Sequence, residues 1–231
     1  MADRFFVGAY WGARAETSGQ CAARLEACLT SLGNTHELLS RWYRKGSSRA
    51  AARQPIDTDV QSLDALLLAG RNRTDVGGEV IADLGFRVSA WNNNSLSASF
   101  STKCGAAPTV EGIMNHFFLE LPEVSDATTD LYDARSANRI LASVIEFWQP
   151  DWATFASFTM RDHQKAEAGR PFAGWQTYLS QAPALSPPPG IRAEQTNGGG
   201  VLITAGTDPL HVTESDLSAA ITYLGATLDA K

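Results

Sequence analysis

Hydrophobic positions along this chain switch between an alternating spacing and a helical one. The run Phe5-Phe6-Val7-Gly8-Ala9-Tyr10-Trp11, closed by Gly12, is rich in aromatic and apolar side chains. Such a run predicts a buried strand, central in a sheet. Gly8 within it predicts a bulge or a close backbone approach. Beyond Gly12 the chain is expected to leave the sheet with Arg14 exposed. Thr17-Ser18-Gly19-Gln20 has the spacing of a capping box. In the helix that follows, Cys21, Leu25, Cys28, Leu29 and Leu32 fall on one face, and Gly33-Asn34 closes it. Leu38 to Tyr43 reads as a short strand. Thr58-Asp59-Val60-Gln61 repeats the capping-box spacing ahead of a helix carrying Val60, Leu63 and Leu67 and ending at Gly70.

Phe86, Val88 and Ala90 alternate with Arg87 and Ser89, and Leu96, Ala98 and Phe100 alternate with Ser95, Ser97, Ser99 and Ser101. With Asn92-Asn93-Asn94 between them, these runs predict a β-hairpin. Serine along the second face implies solvent or a polar partner there. Phe117, Leu119 and Leu121 mark another strand, stopped by Pro122. From Asp130 a helix is expected to place Leu131, Ala134, Leu141, Val144, Ile145 and Trp148 on one face, with Pro150 ending it. Trp152 to Met160 and Gly174 to Leu179 read as strands. Ile191–Thr196 and Val201–Thr204, around Gly198-Gly199-Gly200, predict a late hairpin. Thr213-Glu214-Ser215-Asp216 caps a last helix bearing Leu217, Ala220, Ile221, Leu224 and Leu228. Strands and helices mix without regular βαβ alternation. The expected fold is therefore α+β, with mostly antiparallel sheet and about four main helices, in one domain over residues 1–231.

Charge changes this picture more than composition does. The chain has 231 residues, 44% of them hydrophobic, which is ample for a core. Formal net charge is −6, which argues against general nucleic-acid binding. Residues 1–73 carry ten of the nineteen Lys and Arg, whereas 104–134 carry none. That second stretch holds Glu111, Glu120, Glu123, Asp126, Asp130 and Asp133. It reads as a solvated face or as a surface that docks a basic protein and speeds association. Arg41, Arg44, Lys45, Arg49 and Arg53 read as a phosphate-binding loop or as an ordinary solvated one. No run approaches the ~20 apolar residues of a membrane-spanning helix, and no leader pattern precedes Arg14. Cys21 and Cys28, seven apart on a helix and hence ~10 Å apart by its rise, are beyond disulfide reach. A reduced, cytoplasmic protein is expected.

Catalytic patterns are sparse. His36, His116, His163 and His211 are scattered, and neither a His-Glu-x-x-His nor a Cys-x-x-Cys occurs, so no metal or cofactor is expected. Pro150-Asp151 invites comparison with metal-dependent nucleases, but Lys165-Ala166-Glu167 runs in the wrong order for their Glu-x-Lys. Asp57-Thr58-Asp59 could be offered as an acidic pair for a metal, but its place at a helix start favours plain capping and dipole complementation. Six tryptophans stand out: Trp11, Trp42, Trp91, Trp148, Trp152 and Trp175. Tryptophan serves both cores and binding hot spots. Trp11 and Trp148 read as core, while Trp42 and Trp91 beside polar loops are open to either role.

Several of these stretches together resemble the immunity protein 52 family of bacterial polymorphic-toxin systems. They are Gly8-Ala9-Tyr10-Trp11-Gly12-Ala13-Arg14 with Cys21-Ala22, Trp42-Tyr43, Leu84-Gly85-Phe86 with Trp91-Asn92, and Cys104-Gly105. Pro150-Asp151-Trp152-Ala153 and Gly174-Trp175-Gln176-Thr177-Tyr178-Leu179 complete the set. Ala13 departs from the family pattern, where a proline would fit better. The resemblance implies a non-enzymatic antitoxin that binds a cognate nuclease toxin of restriction-endonuclease fold, often a type VI secretion effector. On that reading Tyr10, Trp11, Gly12, Trp42, Trp91, Trp152 and Trp175 are structural. The six acids of 104–134 are the candidate toxin-binding residues. The rival expectations are a hydrolase using dispersed carboxylates with His116 or His163, and a nucleic-acid-binding module using Arg41 to Arg53. The sequence leaves homo-oligomerisation open.

Overall fold

The computed structural model of the chain describes residues 3–45, 51–108, 112, 115–165 and 169–230. Strand β1, Phe5–Trp11, leads into helix α1, Ser18–Thr35. A short strand β2, Tyr43–Arg44, and helix α2, Val60–Ala69, precede the hairpin of β3, Phe86–Trp91, and β4, Ser99–Cys104. Then come β5, Asn115–Glu120, α3, Ala134–Trp148, β6, Trp152–Ser157, and the short α4, Phe158–His163. Strands β7, Gln176–Leu179, β8, Ile191–Gln195, and β9, Val201–Ala205, are followed by α5, Glu214–Asp229. All nine described strands form one sheet in the order β2-β3-β4-β5-β1-β6-β7-β9-β8. Every pairing is antiparallel, and the fold is α+β. β1 is the middle strand, as its apolar run predicts.

The two faces of β1 explain how the layers are arranged. Phe5, Val7, Ala9 and Trp11 point into a core shared with the apolar faces of α1, α2 and α3. Phe6 points the other way, into a second core with Met160 of α4 and Leu217, Ala220 and Leu224 of α5. α2 contacts β3 and α3 contacts β1 and β6, whereas α5 contacts β8 and β9. Helices therefore cover opposite faces of opposite halves of the sheet. Gly8 marks a close approach and not a bulge: pairing on both sides of β1 is continuous. A Cβ there would sit 2.6 Å from the Tyr10 hydroxyl, whose ring lies across the position.

Capping follows the sequence closely at both ends of the chain. Thr17 and Gln20 form the capping box of α1, and Thr213 and Asp216 that of α5. At α2 the cap is Asp59, not Thr58, and it accepts from the Ser62 N–H at 2.9 Å. Val60 is consequently exposed, at 41%, while Leu63 and Leu67 are buried. α1 continues past Gly33 to Thr35, because Gly33 serves a packing contact: its Cβ would meet Ser40 Cα at 3.1 Å. The expected strand over 38–43 is instead a 3-10 turn at Glu37–Leu39, with pairing confined to Tyr43–Arg44. The return strand of the hairpin begins only at Ser99, since Asn92 accepts from the Ala98 and Asn94 N–H groups and holds 93–98 as a turn. Asp133 caps α3, so that helix starts at Ala134 and not at Asp130. The strand from Trp152 ends at Ser157, whose hydroxyl accepts from the Met160 N–H and starts α4.

Candidate protein interface

The motif residues meet at one junction at the end of β1. The Gly12 N–H donates to Asp151 Oδ2 at 2.8 Å, tying β1 to the start of β6. Asp151 is thus a backbone anchor. Tyr10 stacks on Trp152 with centroids 4.2 Å apart, and Trp11 on Trp148 at 5.3 Å. Arg14 is half-buried and not exposed, because its guanidinium lies 4.8 Å over Trp11 and donates to Glu16 and to the Gln149 carbonyl. Trp42 is buried edge-on to Phe100 at 4.8 Å, and Trp175 edge-on to Phe155 at 5.6 Å. Trp91 is half-buried and donates its indole N–H to the Ala52 carbonyl at 2.9 Å.

Across β3, β4, β5 and β1 the residues facing away from the α1–α3 layer fall into three rows set by strand register. One row is Arg87, Lys103, His116 and Tyr10; the next is Ser89, Ser101, Phe118 and Gly8; the third is Trp91, Ser99, Glu120 and Phe6. No helix among the described residues lies over β3 and β4 on this side. The serine alternation of β4 signals this uncovered face. Ser99 is buried between charges: Lys45 Nζ donates to its Oγ at 3.1 Å, and the Oγ donates to Glu120 Oε2 at 3.1 Å. Phe118 stacks on Phe6 at 4.9 Å, closing the sheet side of the row.

A cleft of about 400 Å³ opens at the third row, lined by Arg4, Ser97, Ser99, Glu120, Glu123 and Phe158. It brings Glu120 and Glu123 together. Asp126 is exposed on the adjoining turn, which Thr128 holds by donating to the Glu123 carbonyl at 2.7 Å. Asp130 pairs with His36 at 3.2 Å, and Asp133 accepts from the Arg135 and Ser136 N–H groups at the start of α3. Hydrogen bonds from the Ser136 and Arg135 backbone hold the Asp133 carboxyl below the usual range. Glu111 lies outside the described residues, as do Arg49, Ala166 and Glu167. Arg41, Arg44, Lys45 and Arg53 are exposed around β2. His163 is exposed at the end of α4, while His116 is half-buried in the sheet, so the two candidate histidines do not converge on one site.

The opposite end of the same face is basic. Burial and the neighbouring Arg87 lower the Lys103 ammonium from its usual range. Burial first, then Lys103 and Arg87, hold the His116 imidazole below its ordinary value. Native His116 therefore stays neutral where the unfolded chain takes up a proton. Its contribution is intact above the unfolded pKa of about 6.5 and is lost as pH falls through that value toward the folded one. The His116→Gln variant is expected to lose less stability than the parent between about pH 7.5 and about pH 5.5. Urea midpoints at the two pH values test this, and equal losses would contradict it.

The described residues contain no group of three or more His, Cys, Asp or Glu placed to hold a metal ion. The three cysteines are buried and free. The hydrogen bond with Cys21, together with burial, pushes the Cys104 thiol up, and burial pushes Cys28 up to about 12. Such thiols are poor nucleophiles. No described helix is long and apolar enough to cross a membrane.

Among solved structures, the fold matches Pseudomonas aeruginosa T6SS protein PA0821 with a TM-score of 0.52 and 10% identity, covering 99% of this chain and 73% of that one. At that identity the likeness is one of fold. Curated proteins give no match. The family model described as immunity protein 52 matches residues 3–230, nearly the whole chain. The motif junction, the single sheet and this match agree: the chain belongs to the immunity protein 52 family.

Proposed function

We propose that this chain binds a cognate nuclease toxin of restriction-endonuclease fold, delivered by a type VI secretion system, and neutralises it in the cytoplasm of the producing cell. Membership of the immunity protein 52 family carries the reading, since an immunity protein implies a toxin partner. The secretion context is supported by the fold neighbour, which is itself named as a T6SS protein. The nuclease assignment is supported by charge: a surface that cleaves DNA is basic, and this chain carries −6. The protein acts as a single domain and by contact, without catalysis.

The contact surface in this proposal is the acidic cleft at Glu120 and Glu123, with Asp126 on its rim. Asp130 and Asp133 serve it less directly, because one is paired with His36 and the other caps α3. Exposed carboxylates steer a basic partner and chiefly change the association rate. Reversing Glu123 and Asp126 to lysine is expected to slow association with the toxin about tenfold at low ionic strength, with a smaller effect in high salt. Stopped-flow measurement at two salt concentrations tests this; an unchanged on-rate at low salt removes the cleft from the interface.

A further inference from the structure

We infer that the basic row Arg87–Lys103–His116, on the face of β3, β4 and β5 that no described helix covers, seats an acidic segment of the toxin, one with at least two carboxylates. The inference rests on the toxin-binding reading and adds a second, oppositely charged contact to it. Arg87 stands directly opposite Lys103, and Lys103 directly opposite His116. Like charges opposed across strands, as Arg87 and Lys103 are, destabilise a sheet. No described carboxylate forms an ion pair with any of the three. The remaining neighbour in the row is Tyr10, whose phenol burial keeps neutral by raising it to about 12. Arg161 of α4, the next cation along, also acts on Tyr10 and is engaged by Asp162 at 2.8 Å. The nearest acid in the same strand is Glu120, four residues from His116 and so ~13 Å along β5, and Ser99 already donates to it.

The size and surroundings of the row select the occupant. Strands lie ~4.8 Å apart, so the row spans ~10 Å from Arg87 to His116, too long for one carboxylate and suited to two on one segment. An extended segment repeats its side chains every ~6.8 Å on one face, which the long Arg and Lys side chains can meet. A nucleic-acid strand is disfavoured, because its phosphates would continue onto Glu120 and Glu123 two rows away. A protein segment can carry carboxylates at one end and cations at the other, matching both ends of this face.

The test uses the full chain and a catalytically inactivated toxin. Affinity is measured for the parent, for the Arg87→Glu/Lys103→Glu variant and for the Arg87→Gln/Lys103→Gln variant. Thermal unfolding confirms that each is folded; relief of repulsion predicts no loss of stability for the glutamine pair, whereas the glutamate pair keeps a like-charge opposition and is expected to match the parent. The charge reversal is expected to weaken binding about a hundredfold, the neutral variant about tenfold. Poly-glutamate is expected to displace the toxin from the parent, and a short DNA duplex is not. Unchanged affinity in both variants, with the parent still bound and weakened by Glu123→Lys, would overturn the basic contact and leave the immunity reading standing. Displacement by the duplex but not by poly-glutamate would also overturn it. Failure of the parent to bind the toxin would overturn both.

Discussion

The Asn115→Asp substitution is expected to destabilise the protein by about 3–5 kcal/mol, a large share of the 5–15 kcal/mol typical of a domain. Asn115 is fully buried at the start of β5. Its Oδ1 accepts from the Ala106 N–H at 2.9 Å, and its Nδ2 donates to the Gly12 carbonyl at 2.6 Å and the Ala106 carbonyl at 3.0 Å. One amide thus joins the ends of β1 and β5 to the segment after β4. An ionised aspartate would place a buried charge against two carbonyl oxygens, and a protonated one would supply one donor where two are needed. Urea unfolding measures the loss as a lowered midpoint at unchanged slope. A loss below about 1 kcal/mol would mean that the junction is not built as described.

Trp148→Ala is the second large effect, expected at about 3–5 kcal/mol. Trp148 is fully buried on the apolar face of α3, stacked against Trp11 at 5.3 Å and Phe117 at 5.7 Å. Phe117 stacks in turn on Phe100 at 5.9 Å, and Phe100 meets the Trp42 ring at 4.8 Å. This aromatic chain crosses β1, β5 and β4 and fixes α3 to the sheet, so truncation leaves a cavity that neighbouring rings cannot close. The Trp148 indole N–H faces only the Cys28 sulfur, a weak acceptor, among the described residues. Trp148→Phe therefore removes volume and one weak N–H to sulfur contact, and is expected to cost only about 1–2 kcal/mol. Equal losses for the two variants in calorimetric unfolding would refute the packing account.

Much of the fold is readable locally, because the residues concerned act on their neighbours. The Phe5–Trp11 run, the Thr17 and Thr213 capping boxes and the hairpin around Gly198–Gly200 depend on a few adjacent positions, and each forms where its pattern indicates. Misreadings are of two kinds: element ends set by one local side-chain cap, as at Asp59, Asn92, Asp133 and Ser157, and positions where a tertiary contact intervenes. Gly33 looks like a helix stop until Ser40 packs on it, and Arg14 looks solvated until Trp11 and Gln149 receive it. Among the acids, the closeness of Glu120 and Glu123 is legible. The pairing of Asp130 with His36 is not, since it joins α1's end to the 3-10 turn before α3. The capping role of Asp133 could have been found from Ser136 three residues on. The basic row escapes sequence reading because Arg87, Lys103 and His116 are set side by side only by strand register, which the turns determine. The alternating serines of β4 were the one local sign that this face lies open.

The most direct test of the account is co-expression of this chain with the toxin encoded beside its gene, purification of the pair, and assay of DNA cleavage by the toxin alone and with the chain added. The account predicts a stable complex and cleavage suppressed near stoichiometric addition, with protection of cells that express both. Two proteins that purify apart, with cleavage undiminished by excess of this chain, would contradict it.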